Sequence, residues 1–386
     1  MNFLEMKLSR INSIIREVLG DSSAQVSSYQ IAPIAHRITN GVTGGVYRIC
    51  CSIQTSGGTR KWSAVVKIIQ ANAGSKNYKL VPSTDPNHWN YWQREVLFYQ
   101  SDLAAEMTGF LRVPQCFNIT TEEQQCELWL EDIYGQPASQ WSPQQYGFAA
   151  YHLGLVQGKY LAGCPLPHYL WLGQTPLNGA DFHWLQHSIN SNAQIPKDLS
   201  SALTHLFQGT MIDISQRVSN RKSEFLQVIE KLPRTLSHFD FQPSNMFSEL
   251  DEFGRTRTVV LDWSYVSNGV LGEDVASLIL LSSWMLNFDA DLLPIFEKFV
   301  IDGYHCGLSH SGYTVPIEFV WSAYATVAVL RFGLLMGYFL EQTQCNSYRD
   351  NCVKRFARNA EYIFKQRYKV IRHALCLEHY AYKLLD

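Results

Sequence analysis

The stretch His238-Phe239-Asp240-Phe241-Gln242-Pro243-Ser244-Asn245, followed by Val259-Val260-Leu261-Asp262-Trp263, decides how this chain reads. An Asp and an Asn five residues apart on a short loop can face one phosphoryl group together. Asp240 then accepts a hydroxyl proton, and the amide oxygen of Asn245 is a ligand for Mg²⁺. Asp262 ends an apolar, strand-like run seventeen residues after Asn245 and adds a second hard oxygen donor. Singly, Asp, Pro, Ser and Asn are ordinary turn residues, and Asp262 could merely cap a turn. Together and in this order they predict phosphoryl-transfer chemistry. His238 is expected to orient the loop through its ring. Asp274, in Gly272-Glu273-Asp274-Val275-Ala276, is expected either to cap a helix N-terminus or to brace the loop.

Upstream lie the residues a nucleotide would need. Asn40-Gly41-Val42-Thr43-Gly44-Gly45 joins two strand-like runs, and its glycines would let backbone N–H groups approach phosphates closely. An ordinary hairpin explains the same segment. Lys67, inside Ala64-Val65-Val66-Lys67-Ile68-Ile69, is a cation in an apolar strand, where a charge needs a partner. Glu95 is the natural one, although a surface pairing with Arg94 competes. Leu128 to Asp132 reads as a hinge, with the backbone of Glu131, Asp132 and Ile133 set against an adenine edge.

The pattern predicts an α+β, bilobal architecture. A helix over 3–19 precedes strands at 29–38, 46–53 and 62–69; an amphipathic helix over 88–106 and strands at 113–117 and 126–130 complete a small antiparallel five-stranded lobe around one helix. The boundary is expected at 132/133, and residues 133–386 read as a larger, mostly helical lobe interrupted by a hairpin at 246–262.

Composition narrows the class. With 46 % hydrophobic and 17 % charged residues the chain is globular, and a net charge of −2 argues against nucleic acid as a partner. Nine cysteines without a CxxC pair fit reduced thiols in the cytoplasm. Met1 to Arg10 carry Glu5, Lys7 and Arg10 among their apolar residues, so no signal-peptide h-region is expected there. Trp321 to Leu340 is apolar enough to suggest a membrane span, but Arg331 at its middle would cost about 2.5–3.5 kcal/mol there. A buried helix, with no membrane partner, is expected.

The set resembles the aminoglycoside phosphotransferase family, which shares the choline-kinase and protein-kinase-like fold. His238 to Asn245 is similar to its catalytic loop, Val260-Leu261-Asp262-Trp263 to its metal-binding acid, Gly272 to Ala276 to the helix start that follows, and Leu128 to Gly135 to its hinge. Tyr151-His152-Leu153-Gly154, with Gly158 and Tyr160, resembles the first helix of its larger lobe. Gln242 stands where the family commonly has a second His, and Phe239 where it often has Gly. The resemblance implies Mg²⁺ and ATP (or GTP) as cofactors and transfer to a hydroxyl of a small molecule, antibiotic-like or a natural product. Asp240 would be the base, Asn245 and Asp262 would hold the metal, and Lys67, steadied by Glu95, would hold phosphates. A primary-metabolite kinase acting on choline, an amino alcohol or a sugar is the alternative, and a catalytically silent nucleotide-binding regulator the other. Residues 143–192 hold only Lys159 and Asp181 as charges among many aromatics, which argues against a polycationic acceptor. The oligomeric state is left open.

Overall fold

Lys67 lies on the middle strand of a five-stranded antiparallel sheet. Its strands are β1 (Gln25–Pro33), β2 (Thr43–Thr55) and β3 (Gly58–Gln70), and, after the short β4 (Leu111–Arg112), β5 (Cys116–Glu122) and β6 (Gln125–Glu131). The order is β1-β2-β3-β6-β5, with Lys67 opposite Val46 on β2 and Leu128 on β6. Strand periodicity sends Ile49, Cys51, Ile53, Ala64, Val66, Ile68 and Trp129 to one face. There they meet Ile11, Ile14 and Ile15 of helix α1 (Leu8–Leu19) in a dry core. Arg10 of α1 adds two bonds to Glu127 of β6, at 3.1 and 2.6 Å. Lys67, one residue out of phase, faces the other way, towards Glu95 on α2 (Arg94–Gln100).

The computed structural model describes residues 8–34, 40–72, 80–107, 109–173 and 209–385. They form two units, one from the described residues of Met1–Thr108 with Arg112–Gly135, the other from Gly109–Leu111 with Gln136–Asp386. The expected helix over 88–106 is a correction. The chain turns through 88–93, because the buried Arg94 guanidinium donates to the carbonyls of His88 and Trp89 and Asn90 donates to Val81 O at 2.7 Å. Helix α2 then stops at Ser101, whose extended backbone and hydroxyl bond to Phe98 O end it before α3 (Asp102–Glu106). The expected helix is thus divided into the two short helices α2 and α3, beside α1 where a helix over 3–19 was expected. The first strand begins earlier than expected, at Gln25, and the expected end of that strand at 35–38 lies outside the described residues. The strand expected at 113–117 starts instead at Cys116.

The second unit is mostly helical. Its α4 (Pro143–Leu161) opens with a reciprocal cap between Ser142 and Gln145, and packs along the helix Leu293–His310. Glycines set this crossing. A Cβ on Gly154 would overlap Tyr304 O, one on Gly303 would overlap Gly147 O, and one on Gly307 would overlap Tyr151 O. The two backbones thus touch where a side chain cannot fit. Behind α4 lie two small ladders, β8 (Arg234–Ser237) with β11 (Ser267–Val270), and β10 (Thr256–Val260) with β9 (Met246–Leu250), which also pairs β7 (Gln136–Pro137).

The apolar stretch Ile317–Gln344 is long and apolar enough to cross a membrane by length and composition, yet 78 % of its most apolar window is buried inside the protein. It is two helices, Ile317–Arg331 and Met336–Gln344, broken at Phe332 to Leu335. Buried placement agrees with the reading of Arg331 as a residue of a protein interior.

His152 of α4 is buried against β10, its Nδ1 2.9 Å from Thr258 Oγ1 and its ring stacked on Phe110. Burial pulls its pKa from 6.5 down to about 4. As pH falls below 6.5 the unfolded chain takes up this proton before the folded one does. Stability is therefore whole above 6.5 and is lost progressively towards 4. Between about pH 7.5 and about pH 5 the loss from this group is about 2 kcal/mol. Urea denaturation of His152→Gln should show that much less acid sensitivity than wild type; parallel pH curves would refute it.

Candidate active site

The loop between β8 and β9 is fixed from two sides before any ligand arrives. Ser237 ends β8, and the buried His238 follows. Its Nδ1 accepts the Asp240 N–H at 3.1 Å, so its Nε2 carries the proton donated to Leu261 O at 2.9 Å. The ring thus orients the loop and ties it to the residue before Asp262. Leu261 is held a second time, its N–H donating to Asn245 O at 2.8 Å. From the other side, Asp274 accepts the N–H groups of His238 and Phe239, both at 2.8 Å. The loop-bracing reading of Asp274 is the one observed; the helix it opens is capped by Gly272 at φ 98° instead. Phe239 has φ 64°, a left-handed backbone costly for any residue but glycine. That explains why glycine suits this position, and the bracket from Asp274 compensates here.

Asp240 emerges partly accessible, with both carboxylate oxygens taken by side-chain amides. Gln242 Nε2 donates to Oδ1 at 2.5 Å, and Asn245 Nδ2 donates to Oδ2 at 2.8 Å. With its nitrogen so engaged, Asn245 presents its Oδ1 as the other end of the amide. Burial and then the charge of Asp262 push the Asp240 pKa up to about 6, against the two amide bonds and the charge of Arg331. Asp262 therefore faces Asp240 closely enough for repulsion to register, and it too is left-handed, at φ 60°. Two like charges beside an amide oxygen are a setting a divalent cation relieves. The donors, one carboxylate and one amide oxygen, suit Mg²⁺ completed by phosphate oxygens and water. Among the described residues no cluster of three or more His, Cys, Asp or Glu offers an all-protein cage.

Behind Asp274 stands a layer the sequence reading missed. Gln157 of α4, 1 % exposed, donates to Asp274 Oδ2 at 2.9 Å and Leu236 O at 3.0 Å, and accepts from Tyr304 O–H at 2.6 Å. Burial holds Asp274 up at about 6. The glycines at 154 and 158, on the same helix as Gln157, were the available sign of a close crossing at this level.

In the first unit Lys67 and Glu95 meet at 2.6 Å with side chains 10 % and 2 % exposed. Breaking such a pair strands a buried charge, so Lys67→Met should destabilise by about 3–5 kcal/mol, and the double variant Lys67→Met/Glu95→Leu by much less. Chemical denaturation of all three proteins decides this, and an additive double variant would contradict it.

The remaining nucleotide residues fare differently. The N–H groups of Gly41, Val42 and Thr43 are bonded to Leu80 O, Asn40 Oδ1 and Asn40 O. In this arrangement those three N–H groups are taken up by Asn40 and the Leu80 carbonyl. A Cβ at 44 would crowd the end of the Gln70 side chain, and one at 45 the Tyr47 ring, both side chains of the same sheet. At the expected hinge, the Glu131 N–H is already bonded to Gln115 O at 2.8 Å, and its carboxylate to Arg112 at 2.7 and 3.1 Å. Asp132 is buried and paired with Arg48 at 3.0 Å, and the half-buried Ile133 follows.

A family model described as the phosphotransferase enzyme family matches residues 98–307, more than half of the chain. The chain belongs to that family. It is a small-molecule phosphotransferase with a protein-kinase-like fold, and the matched region contains the whole 238–274 constellation. Among solved structures, the chain is similar to choline kinase from Cryptosporidium parvum Iowa II, with 13 % identity, 98 % of this chain and 100 % of that one covered, and a TM-score of 0.54. It is also similar to the amicoumacin kinase solved with AMP-PNP and Ca²⁺, at 10 % identity, 94 % and 93 % coverage and a TM-score of 0.50. A search of the curated proteins finds no match.

Proposed function

We propose that this phosphotransferase transfers the γ-phosphate of Mg·ATP to a hydroxyl of a small molecule bearing at most one or two amines and a substantial apolar part. The observation that carries the reading is the Asp240 carboxylate, clamped by the amides of Gln242 and Asn245 on a loop locked by His238 and Asp274. A base so fixed can take the acceptor proton without reorganising. Asn245 and Asp262 would hold Mg²⁺, which supplies charge neutralisation on the phosphates when bound. Lys67, fixed by Glu95, would contact phosphate oxygens. The cofactor roles of the 41–45 turn and of Asp132 and Ile133 have no comparable support. Nine free cysteines favour a reducing, cytoplasmic setting.

The acceptor reading rests on charge. Of the aromatic stretch, Phe182 and Trp184 lie outside the described residues, as does Asp181. Within the described part Trp141 and Tyr146 are core, whereas Tyr169 stacks on Trp171 at 5.1 Å and is half-exposed. We expect kanamycin-like polyamines to be phosphorylated weakly or not at all, and mono-amine or neutral apolar alcohols better. Mass spectrometry of a mixed panel, followed by steady-state kinetics on the hits, checks both parts. Efficient low-KM turnover of a polyamine would overturn the acceptor class, and absence of Mg²⁺-dependent nucleotide binding would overturn the kinase reading.

A further inference from the structure

The face of the five-stranded sheet that carries Lys67 also carries Arg48. Strand periodicity puts Val46 and Arg48 of β2, Val65 and Lys67 of β3, and Leu128 and Leu130 of β6 on that face, with Val46 opposite Lys67 and Arg48 opposite Val65. Arg48 therefore stands one strand across and two residues along from Lys67, about 8 Å away at the backbone. Val46 and Val65, both half-buried, lie between them. Asp132, two residues beyond Leu130, has a side chain 2 % exposed and paired with that of Arg48, which is 46 % exposed. The contact is made by Nε alone, at 3.1 and 3.0 Å to the two carboxylate oxygens. The two terminal nitrogens of the guanidinium make no hydrogen bond among the described residues, so their N–H donors remain available.

We propose that Arg48 reads the base of the bound nucleotide, offering its terminal N–H groups to N7 and O6 of guanine, so that Mg·GTP serves this enzyme at least as well as Mg·ATP. The inference rests on the kinase reading above and specifies the base of its phosphoryl donor. With Lys67 on the phosphates, a nucleotide lying along this face carries its base over Val46 and Val65 towards Arg48. The apolar floor suits a flat ring, and the fork at its edge supplies donors. The pairing with Asp132 selects what those donors meet. The two charges offset each other, so the fork suits a neutral carbonyl better than a further anion. Guanine presents N7 and O6 side by side as acceptors, whereas adenine replaces O6 with an amino donor of the wrong polarity. A structural clip explains less. A buried Asp132 needs a hydrogen-bonded cation, which a lysine would supply; it does not need a planar fork whose outer nitrogens stay accessible.

Calorimetry on the full chain with Mg²⁺ and GDP, IDP or ADP tests this. GDP and IDP share N7 and O6, and only GDP adds the 2-amino group. In the wild type both should bind at least as tightly as ADP, and KM for GTP should not exceed that for ATP. Arg48→Lys keeps a cation on Asp132 and removes the fork. It should weaken GDP and IDP by about tenfold, within the worth of a two-pronged contact to guanine, and ADP by much less. The double variant Arg48→Met/Asp132→Leu leaves no buried charge behind and should show the same selective loss, which guards against a folding defect in the single one. ADP outbinding GDP in the wild type, GDP binding tightly while IDP does not, or an unchanged GDP-to-ADP ratio in Arg48→Lys would each overturn the inference. If no nucleotide binds in the presence of Mg²⁺, the kinase reading falls and this inference falls with it, a result distinct from a wrong ratio.

Discussion

Asp240→Asn should bind Mg·nucleotide about as well as wild type and lose phosphoryl transfer by a factor of about 10²–10⁴, the range general-base catalysis supplies. The substitution is nearly isosteric, and an amide at 240 can still be held in place by the loop. What it cannot do is accept a proton from the acceptor hydroxyl. Two of the oxygen contacts, from Gln242 Nε2 and Asn245 Nδ2, become contacts to an amide that must turn one N–H towards a donor. Some loop disturbance is therefore expected with the chemical loss. Nucleotide titration by thermal shift and single-turnover kinetics on one preparation separate the two. Turnover within threefold or so of wild type would remove Asp240 as the base, since misplacement alone could not mimic a working base.

How much of this was legible beforehand follows from sequence distance. Asp240, Asn245 and Asp262 sit within one loop and one hairpin, so spacing alone fixed which groups could converge. The sheet was equally readable, because period-two burial of Ile49, Cys51 and Ile53 is written directly in β2. The 88–106 segment misled because its aromatics repeat at helical spacing, while the feature that breaks it is a buried cation. Arg94 satisfies the carbonyls of a turn, and no periodicity shows that. The glycines at 44 and 45 are open to two readings. Glycine marks close approach of backbone, to a ligand or, as with Gln70 and Tyr47 here, to side chains of the same sheet. Gln157 and Tyr304 were invisible because their partners lie 117 and 147 residues away in sequence.

That last pair ties the loop to the crossing of two helices. Gly307→Val should destabilise the protein by more than the ordinary overpacking cost of about 1–3 kcal/mol, because the first new atom meets the Tyr151 carbonyl. Backbone on both sides leaves neither helix a side chain that could move aside. The consequence should reach the active site. Tyr304, three residues from Gly307, donates to Gln157, and Gln157 donates to Asp274, which holds the amides before Asp240. Separating α4 from the helix Leu293–His310 pulls this series apart at its first link. Gln157→Leu distinguishes the two effects: it keeps the helix crossing, yet removes the acceptor of Tyr304 O–H and one of the two donors to Asp274 Oδ2, leaving His238 N–H. We expect Gly307→Val to lower both the unfolding midpoint and kcat, and Gln157→Leu to lower kcat with a smaller loss of stability. Unfolding midpoints and single-turnover rates for both variants test this. A Gly307→Val protein as stable as wild type would mean that the two helices do not cross at van der Waals contact, and the positioning of Asp274 through α4 would fall with it.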